Sequence, residues 1–110
     1  MELINLLVRN PVVIISLIIV VVFKIFPPKK MNSWYGYRTL KSMENVKKWE
    51  IAQKYSANLS LVALSILLFV QILIYVCFNS NIISDFAVIV LWGIGMGMVI
   101  YKTERMLKDL

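Results

Sequence analysis

The side chains most able to do chemistry cluster in one hydrophilic stretch, residues 32–56, which reads NSWYGYRTLKSMENVKKWEIAQKYS. Here Gly36 stands between two tyrosines and is followed closely by Arg38. Glycine permits a sharp backbone turn, which would present the tyrosine rings and the guanidinium together. A guanidinium offers a planar fork of donors that suits a carboxylate or a phosphate. These residues are candidates for a binding site, but composition alone also fits a polar connector between two membrane spans, and the arginine could instead bind exposed helix carbonyls and be purely structural.

Amides and hydroxyls surround this arginine and extend the candidate site. Cytoplasmic loops of membrane proteins are often basic and aromatic for reasons of orientation and depth alone, so the lysines of the stretch need no further explanation. Uncharged hydrogen-bonding groups are not explained in that way. The predicted binding residues are Asn32, Tyr35, Gly36, Tyr37, Arg38, Thr39, Ser42, Asn45 and Trp49.

Catalysis and metal binding are not favoured by the sequence. The chain has no histidine, which removes the commonest general base and metal ligand. Glu44 and Glu50 would point about 120° apart on a helix, so they do not form a carboxylate pair. The single cysteine, Cys77, lies in an apolar run. We therefore predict no catalytic residue, no metal and no cofactor, and the sequence does not favour an enzyme.

The elements that position the site are predicted to be membrane spans. Of the 110 residues, 60% are hydrophobic. A soluble domain averages about 45–50% and needs polar residues to cover its surface. Apolar runs predict an all-α integral membrane protein with three transmembrane helices, at about residues 3–26, 57–78 and 82–101. Between the first two lie the motif loop and a cytoplasmic interfacial helix, residues 27–56, and a cytoplasmic tail follows at 102–110. The whole chain is one membrane domain, and its first span is expected to be retained rather than cleaved.

Local signals refine the helix that leads into the second span. Ser42 is a plausible N-cap, with Glu44 in the first turn where the helix dipole favours an acid. No glycine or proline occurs from residue 43 to 78, so one long helix is expected there. Asn10 and Pro11 could form an N-cap and first-turn pair in the first span, or a mild kink in a longer helix.

The basic residues predict the orientation of the chain in the membrane. Eight of the twelve lie between Lys24 and Lys54 and three more in the last nine positions, whereas the turn at residues 79–81 has none. Cytoplasmic loops carry such an excess, so the N-terminus is expected outside and the C-terminus inside. Basic residues beside a membrane more simply meet anionic lipids than nucleic acid, and no nucleic-acid partner is predicted.

Two glycines in the third span are candidates for helix packing. Gly93 and Gly97 are four residues apart, a spacing that lets another helix approach closely. The partner helix could belong to the same chain or to a second copy, which would make a homodimer.

The spacing of the loop residues resembles the signature of the SdpI family of small bacterial membrane proteins. That signature is an asparagine, Gly-x-Arg-Thr, a serine, a second asparagine and a tryptophan that opens a helix. In this chain the positions are Asn32, Gly36, Arg38, Thr39, Ser42, Asn45 and Trp49, with Ala52 and Lys54 in the next turn.

The resemblance implies a multi-pass protein of the bacterial cytoplasmic membrane that acts by binding. The family includes an immunity protein that protects a cell from its own secreted antimicrobial peptide and holds a transcriptional repressor at the membrane. The implied partners are thus the lipid bilayer and a peptide toxin or regulatory protein. Two alternatives stay open: binding or transport of an anionic lipid or lipid-linked phosphate in the envelope, and a purely structural motif in a small membrane scaffold.

Overall fold

A computed structural model describes residues 4–5, 9–28, 30–32, 36–79 and 81–109, and three helices organise this part of the chain. They are α1 at Val12–Ile25, α2 at Val46–Phe78 and α3 at Ile82–Lys108. Helix α2 packs along both of its neighbours, whereas α1 and α3 contact each other little. The regular structure of the described residues is entirely helical, which confirms the all-α prediction.

Two of the helices are long and apolar enough to cross a membrane. Helix α2 has 33 residues and α3 has 27, which correspond to about 50 Å and about 40 Å, against a hydrocarbon core of about 30 Å. The connection is short, because α2 ends at residue 78 and Asn81 caps α3 by accepting a 2.9 Å hydrogen bond from the Ser84 amide. These helices therefore form the predicted antiparallel hairpin.

Helix α1 is shorter than the predicted first span. Its 14 residues extend about 21 Å, and part of the predicted segment, residue 3 and residues 6–8, lies outside the described residues. Asn10 does not cap the helix, whose N-cap residue is Pro11, and its side-chain amide nitrogen donates to the Asp85 carbonyl at 3.2 Å. A crossing of the membrane by α1 thus stays a prediction.

The bounds of the other two helices differ from the predicted ones at the motif side. Helix α2 begins at Val46 and its N-cap is Asn45, so the prediction of Ser42 as the cap is wrong. The helix then continues without interruption to residue 78, in agreement with the one long helix that was expected, and the interfacial position of its first turns stays a prediction. Helix α3 continues through Lys108, so most of the predicted tail is helical.

The core is small and the outer surface is apolar. Buried Val13, Leu64, Leu67 and Val88 form one cluster where the three helices meet. Many other apolar side chains face outward, including Phe69, which is 63% exposed. Of the 18 consecutive residues that are most apolar in each long helix, only 17% are buried. Apolar residues on the outside of long helices indicate a membrane protein, since water would not solvate such a surface favourably.

Polar side-chain contacts between elements occur at both ends of the helix bundle. At the hairpin end, beside residues 79–81, Arg9 Nε lies 2.7 Å from Asp85 Oδ2. At the opposite end, which we call the motif end, the Tyr37 hydroxyl donates to the Ile100 carbonyl at 3.4 Å. The basic loop and the C-terminal part of α3 therefore lie at the same end, as the predicted orientation requires.

Candidate functional site

The motif loop, residues 26–45, is anchored to α2 by a buried tryptophan. Trp49 is only 1% exposed, and its indole Nε1 donates a 3.0 Å hydrogen bond to the Pro28 carbonyl. The two prolines end α1 just before this point, so the indole fixes the chain where it leaves that helix. Sequence spacing predicted Trp49 as a binding residue, but its burial gives it a positioning role.

Gly36 brings the loop back against α2 in a conformation that other residues rarely adopt. Its φ is +92°, which confirms the sharp turn predicted at this position. A Cβ added there would lie 2.5 Å from Gln53 Oε1 and 2.7 Å from Pro28 Cγ. Both the backbone angle and the available space therefore require glycine.

Gln53 holds Tyr37, the residue after this turn, through the oxygen and the nitrogen of its side-chain amide. Its Oε1 accepts a 2.7 Å hydrogen bond from the Tyr37 amide, and its Nε2 donates at 2.6 Å to the Tyr37 carbonyl. Gln53 is 8% exposed. A single side chain thus satisfies both backbone groups of Tyr37, as a neighbouring strand would.

The Tyr37 side chain contacts α3 through the hydrogen bond from its hydroxyl to the Ile100 carbonyl. Burial and the nearby Glu104 carboxylate raise the pKa of the Tyr37 phenol well above its ordinary value. The phenol, neutral at physiological pH even without this shift, is a hydrogen-bonding contact between the loop and the last turns of α3.

Thr39 and Ser42 close a turn through reciprocal hydrogen bonds. The Ser42 hydroxyl accepts from the Thr39 amide at 2.8 Å and donates to the Thr39 carbonyl at 2.9 Å, while the Ser42 amide donates to Thr39 Oγ1 at 3.1 Å. Ser42 is fully buried. Since its hydroxyl is used inside this turn, Asn45 caps α2 instead by accepting from the Lys48 amide at 2.8 Å.

Arg38 lies between these anchored positions and is exposed. Asn32 is partly buried and donates to the Lys30 carbonyl at 3.0 Å, and Tyr35 lies outside the described residues. The structure therefore separates the predicted site into two groups. Trp49, Ser42, Thr39 and Asn45 hold the loop, and Arg38 is the charged group that this framework presents at the surface.

Comparison with known protein families agrees with this motif. The model of the SdpI/YfhL protein family matches residues 29–103, which include most of the motif loop, all of α2 and most of α3. The chain belongs to the SdpI/YfhL protein family.

A curated relative in the SdpI/YfhL family is similar over part of the chain. The uncharacterized protein YfhL of Bacillus subtilis (strain 168) is 46% identical over 43 residues, and the match spans 39% of this chain and 39% of that protein. No solved structure matches the chain significantly.

Within this SdpI/YfhL protein, sequence reasoning missed the role of Gln53. Gln53 is not among the predicted binding residues, yet its side chain binds the backbone of Tyr37, sixteen positions earlier. The signal was its helical register, because Trp49, Gln53 and Ser56 are spaced to share one face of α2 and all three are buried. A glutamine on an otherwise buried face indicates a specific hydrogen-bonding partner.

A groove borders the anchored loop on its α1 side. It has a volume of about 470 Å³ and is lined by residues of α1, the prolines and α2, among them Lys24, Gln53, Lys54 and Asn58. A smaller crevice of about 220 Å³ lies beneath Gly36 and Tyr37 and reaches Met96 and Val99 of α3. The loop thus covers a cleft in the helix bundle of the SdpI/YfhL chain.

The two glycines predicted to pack helices face outward. Gly93 and Gly97 are exposed, and within the described residues an added Cβ would meet nothing within 4 Å at either position. They do not serve close packing against α1 or α2 there. Packing of this face against a second copy stays a prediction.

Proposed function

We propose that this SdpI/YfhL protein is a three-span protein of the bacterial inner membrane that acts by binding. It protects the cell against a secreted antimicrobial peptide or holds a regulatory protein at the membrane. Family membership and two helices able to cross a membrane support the membrane assignment. The two activities come from the family resemblance of the motif.

The observation that carries this proposal is the way the motif loop is built. Trp49 and Gln53 fix the loop from the membrane side through three hydrogen bonds to backbone groups. Arg38 lies on the exposed side of the same short segment. A guanidinium held on a fixed backbone suits a carboxylate, such as a peptide terminus or an acidic side chain, because little flexibility is lost on binding.

Orientation decides which partner can reach this arginine. The basic loop and the end of α3 lie together at the motif end, which we propose faces the cytoplasm. With residues 57–78 in the bilayer, the first turns of α2 project from the membrane or lie at its interface. A cytoplasmic regulator reaches this site directly, and a peptide toxin reaches it after entering the membrane.

Growth protection tests the proposal. The protein is produced in a bacterium sensitive to the secreted peptide of an SdpI-type toxin system, and the inhibitory peptide concentration is measured for the wild type, Arg38→Ala and Lys47→Ala. Loss of one charge-assisted contact reduces binding roughly tenfold or more, so Arg38→Ala should lose protection. Lys47→Ala removes an exposed charge at the same end and should retain it.

Equal protection by wild type and Arg38→Ala would remove Arg38 from the site. A wild-type protein that inserts normally and gives no protection would contradict the immunity activity. Regulator binding is then tested separately, by placing a photo-crosslinking residue at position 40, which is exposed beside Arg38, or at position 47, and comparing the cytoplasmic proteins captured. Capture at both positions or at neither would contradict a specific site at Arg38.

A further inference from the structure

We infer that the groove between α1 and the first turns of α2 is a site for one anionic phospholipid, whose phosphodiester lies between Lys24 and Lys54. The groove has a volume of about 470 Å³. It is separate from Arg38 and is not needed for the binding function proposed above.

The position of the two lysines matches the depth of lipid headgroups. Lys24 is in the last turn of α1, where the apolar helix gives way to the prolines. Lys54 lies just before the apolar run that starts at Ala57. Both ammonium groups therefore lie at the boundary between apolar helix surface and the polar loop, which is where lipid phosphates lie in a bilayer.

The groove offers separate polar groups to the parts of one headgroup. Lys24 Nζ donates a 2.6 Å hydrogen bond to Asn58 Oδ1, which holds that ammonium over the groove. Lys54 is exposed four residues before Asn58, on the same face of α2. Glu50, one turn earlier still, adds a carboxylate to the lining. Two ammonium groups can bind a phosphate, and the carboxylate can accept a hydrogen bond from a headgroup hydroxyl.

Charge balance selects phosphatidylglycerol as the occupant. The charged lining residues Lys24, Lys54 and Glu50 sum to +1, and a phosphodiester carries one negative charge. Phosphatidylglycerol also carries glycerol hydroxyls for Glu50, which phosphatidic acid lacks. Phe23, Pro27 and Ala57 supply the apolar surface on which the lipid chains can begin.

Native mass spectrometry of the full chain in detergent tests this site by titration with phosphatidylglycerol and phosphatidylcholine. Lys24→Gln/Lys54→Gln keeps a donor at position 24 and removes both charges. We expect it to bind phosphatidylglycerol roughly tenfold or more weakly than the wild type. The control Lys47→Gln/Lys108→Gln removes two exposed charges at the same end and should change affinity by less than about twofold.

Equal losses in the two double variants would show general electrostatic attraction and overturn the site. Equal wild-type affinity for phosphatidylglycerol and phosphatidylcholine would also overturn it. So would a wild-type complex that carries a second protein chain instead of a lipid, if the Lys24→Gln/Lys54→Gln variant loses that chain. Glu50→Gln should reduce the preference for phosphatidylglycerol over phosphatidic acid, and an unchanged preference would remove Glu50 from the site. Arg38→Ala should bind phosphatidylglycerol as the wild type does, so this inference and the proposed function can fail independently.

Discussion

At position 36 two separate conditions require glycine, the backbone angle of the turn and the close approach of the loop to α2. The backbone has a φ of +92°, and the space where a Cβ would lie is already filled by Gln53 Oε1 and Pro28 Cγ. The first condition disfavours every residue with a side chain, and the second adds a steric overlap. The glycine of the family motif therefore has a structural cause that is independent of any ligand.

Replacing Gly36 by alanine should destabilise the protein by at least about 2 kcal/mol, from the backbone conformation together with displacement of Gln53. Unfolding in detergent measures the change. Gly93→Ala is the matched control, because nothing lies within 4 Å of its Cβ position; in a helix interior this change should stabilise by roughly 0.5–1 kcal/mol. Similar effects of both substitutions would contradict the close approach at Gly36.

Gln53→Met should also destabilise the fold while keeping the size of the side chain. It leaves the Tyr37 amide and carbonyl without their partner, at a cost of about 1–3 kcal/mol for each buried group. Lys47→Met, on an exposed position of the same helix, should change the free energy of unfolding by no more than about 0.5 kcal/mol. If Gln53→Met melts with the wild type, Gln53 does not hold the loop.

At the scale of the elements, the hairpin was predictable and the start of α2 was not. Uninterrupted apolar runs predicted helices up to residue 78 and from residue 82, and the structure places both there. Ser42 and Asn45 are both good N-cap residues, so sequence alone could not choose between them. The choice depends on Thr39, because its amide and its hydroxyl form hydrogen bonds with the hydroxyl and the amide of Ser42.

The cap predicts a local effect of Asn45→Ala at the start of α2. Loss of the hydrogen bond from the Lys48 amide should cost about 0.5–2 kcal/mol and expose that amide to solvent exchange. Hydrogen exchange in detergent measures it. The Ser84 amide, capped in the same way by Asn81 at the other end of the molecule, is the internal reference. Unchanged exchange at Lys48 would contradict the cap.

The candidate site stays a prediction as a set of binding residues, and its arrangement was not predictable from sequence. Family spacing identified Gly36, Arg38 and Trp49 together. It could not show that Trp49 binds the Pro28 carbonyl or that Gln53 binds the Tyr37 backbone, because sequence does not reveal which backbone groups lack partners. Those contacts depend on how α1 ends and on where the loop crosses α2.

At the scale of the whole molecule, polar contacts between elements occur at the two ends of a largely apolar helix bundle. Arg9 and Asp85 meet at the hairpin end, and Tyr37 joins the basic loop to α3 at the motif end. The central buried cluster lies between them. This distribution suits a bilayer, and the orientation that we propose places the more basic motif end toward the cytoplasm.

Cysteine labelling tests that orientation. In a Cys77→Ala background, Asn81→Cys should react with a membrane-impermeant maleimide on intact cells, because we place the hairpin end outside. Lys47→Cys should react only after the membrane is permeabilised. The reverse pattern would invert the proposed topology, and reaction of both positions on intact cells would contradict the crossing of the membrane by α2.

The central claim is that one group of motif residues holds the loop and Arg38 binds the partner. The most direct measurement compares unfolding in detergent with growth protection for Arg38→Ala and Gln53→Met in the same preparations. Arg38→Ala should lose protection while losing less stability than Gln53→Met, and Gln53→Met should lose both. Full protection by Arg38→Ala, or a loss of stability equal to that of Gln53→Met, would contradict the claim.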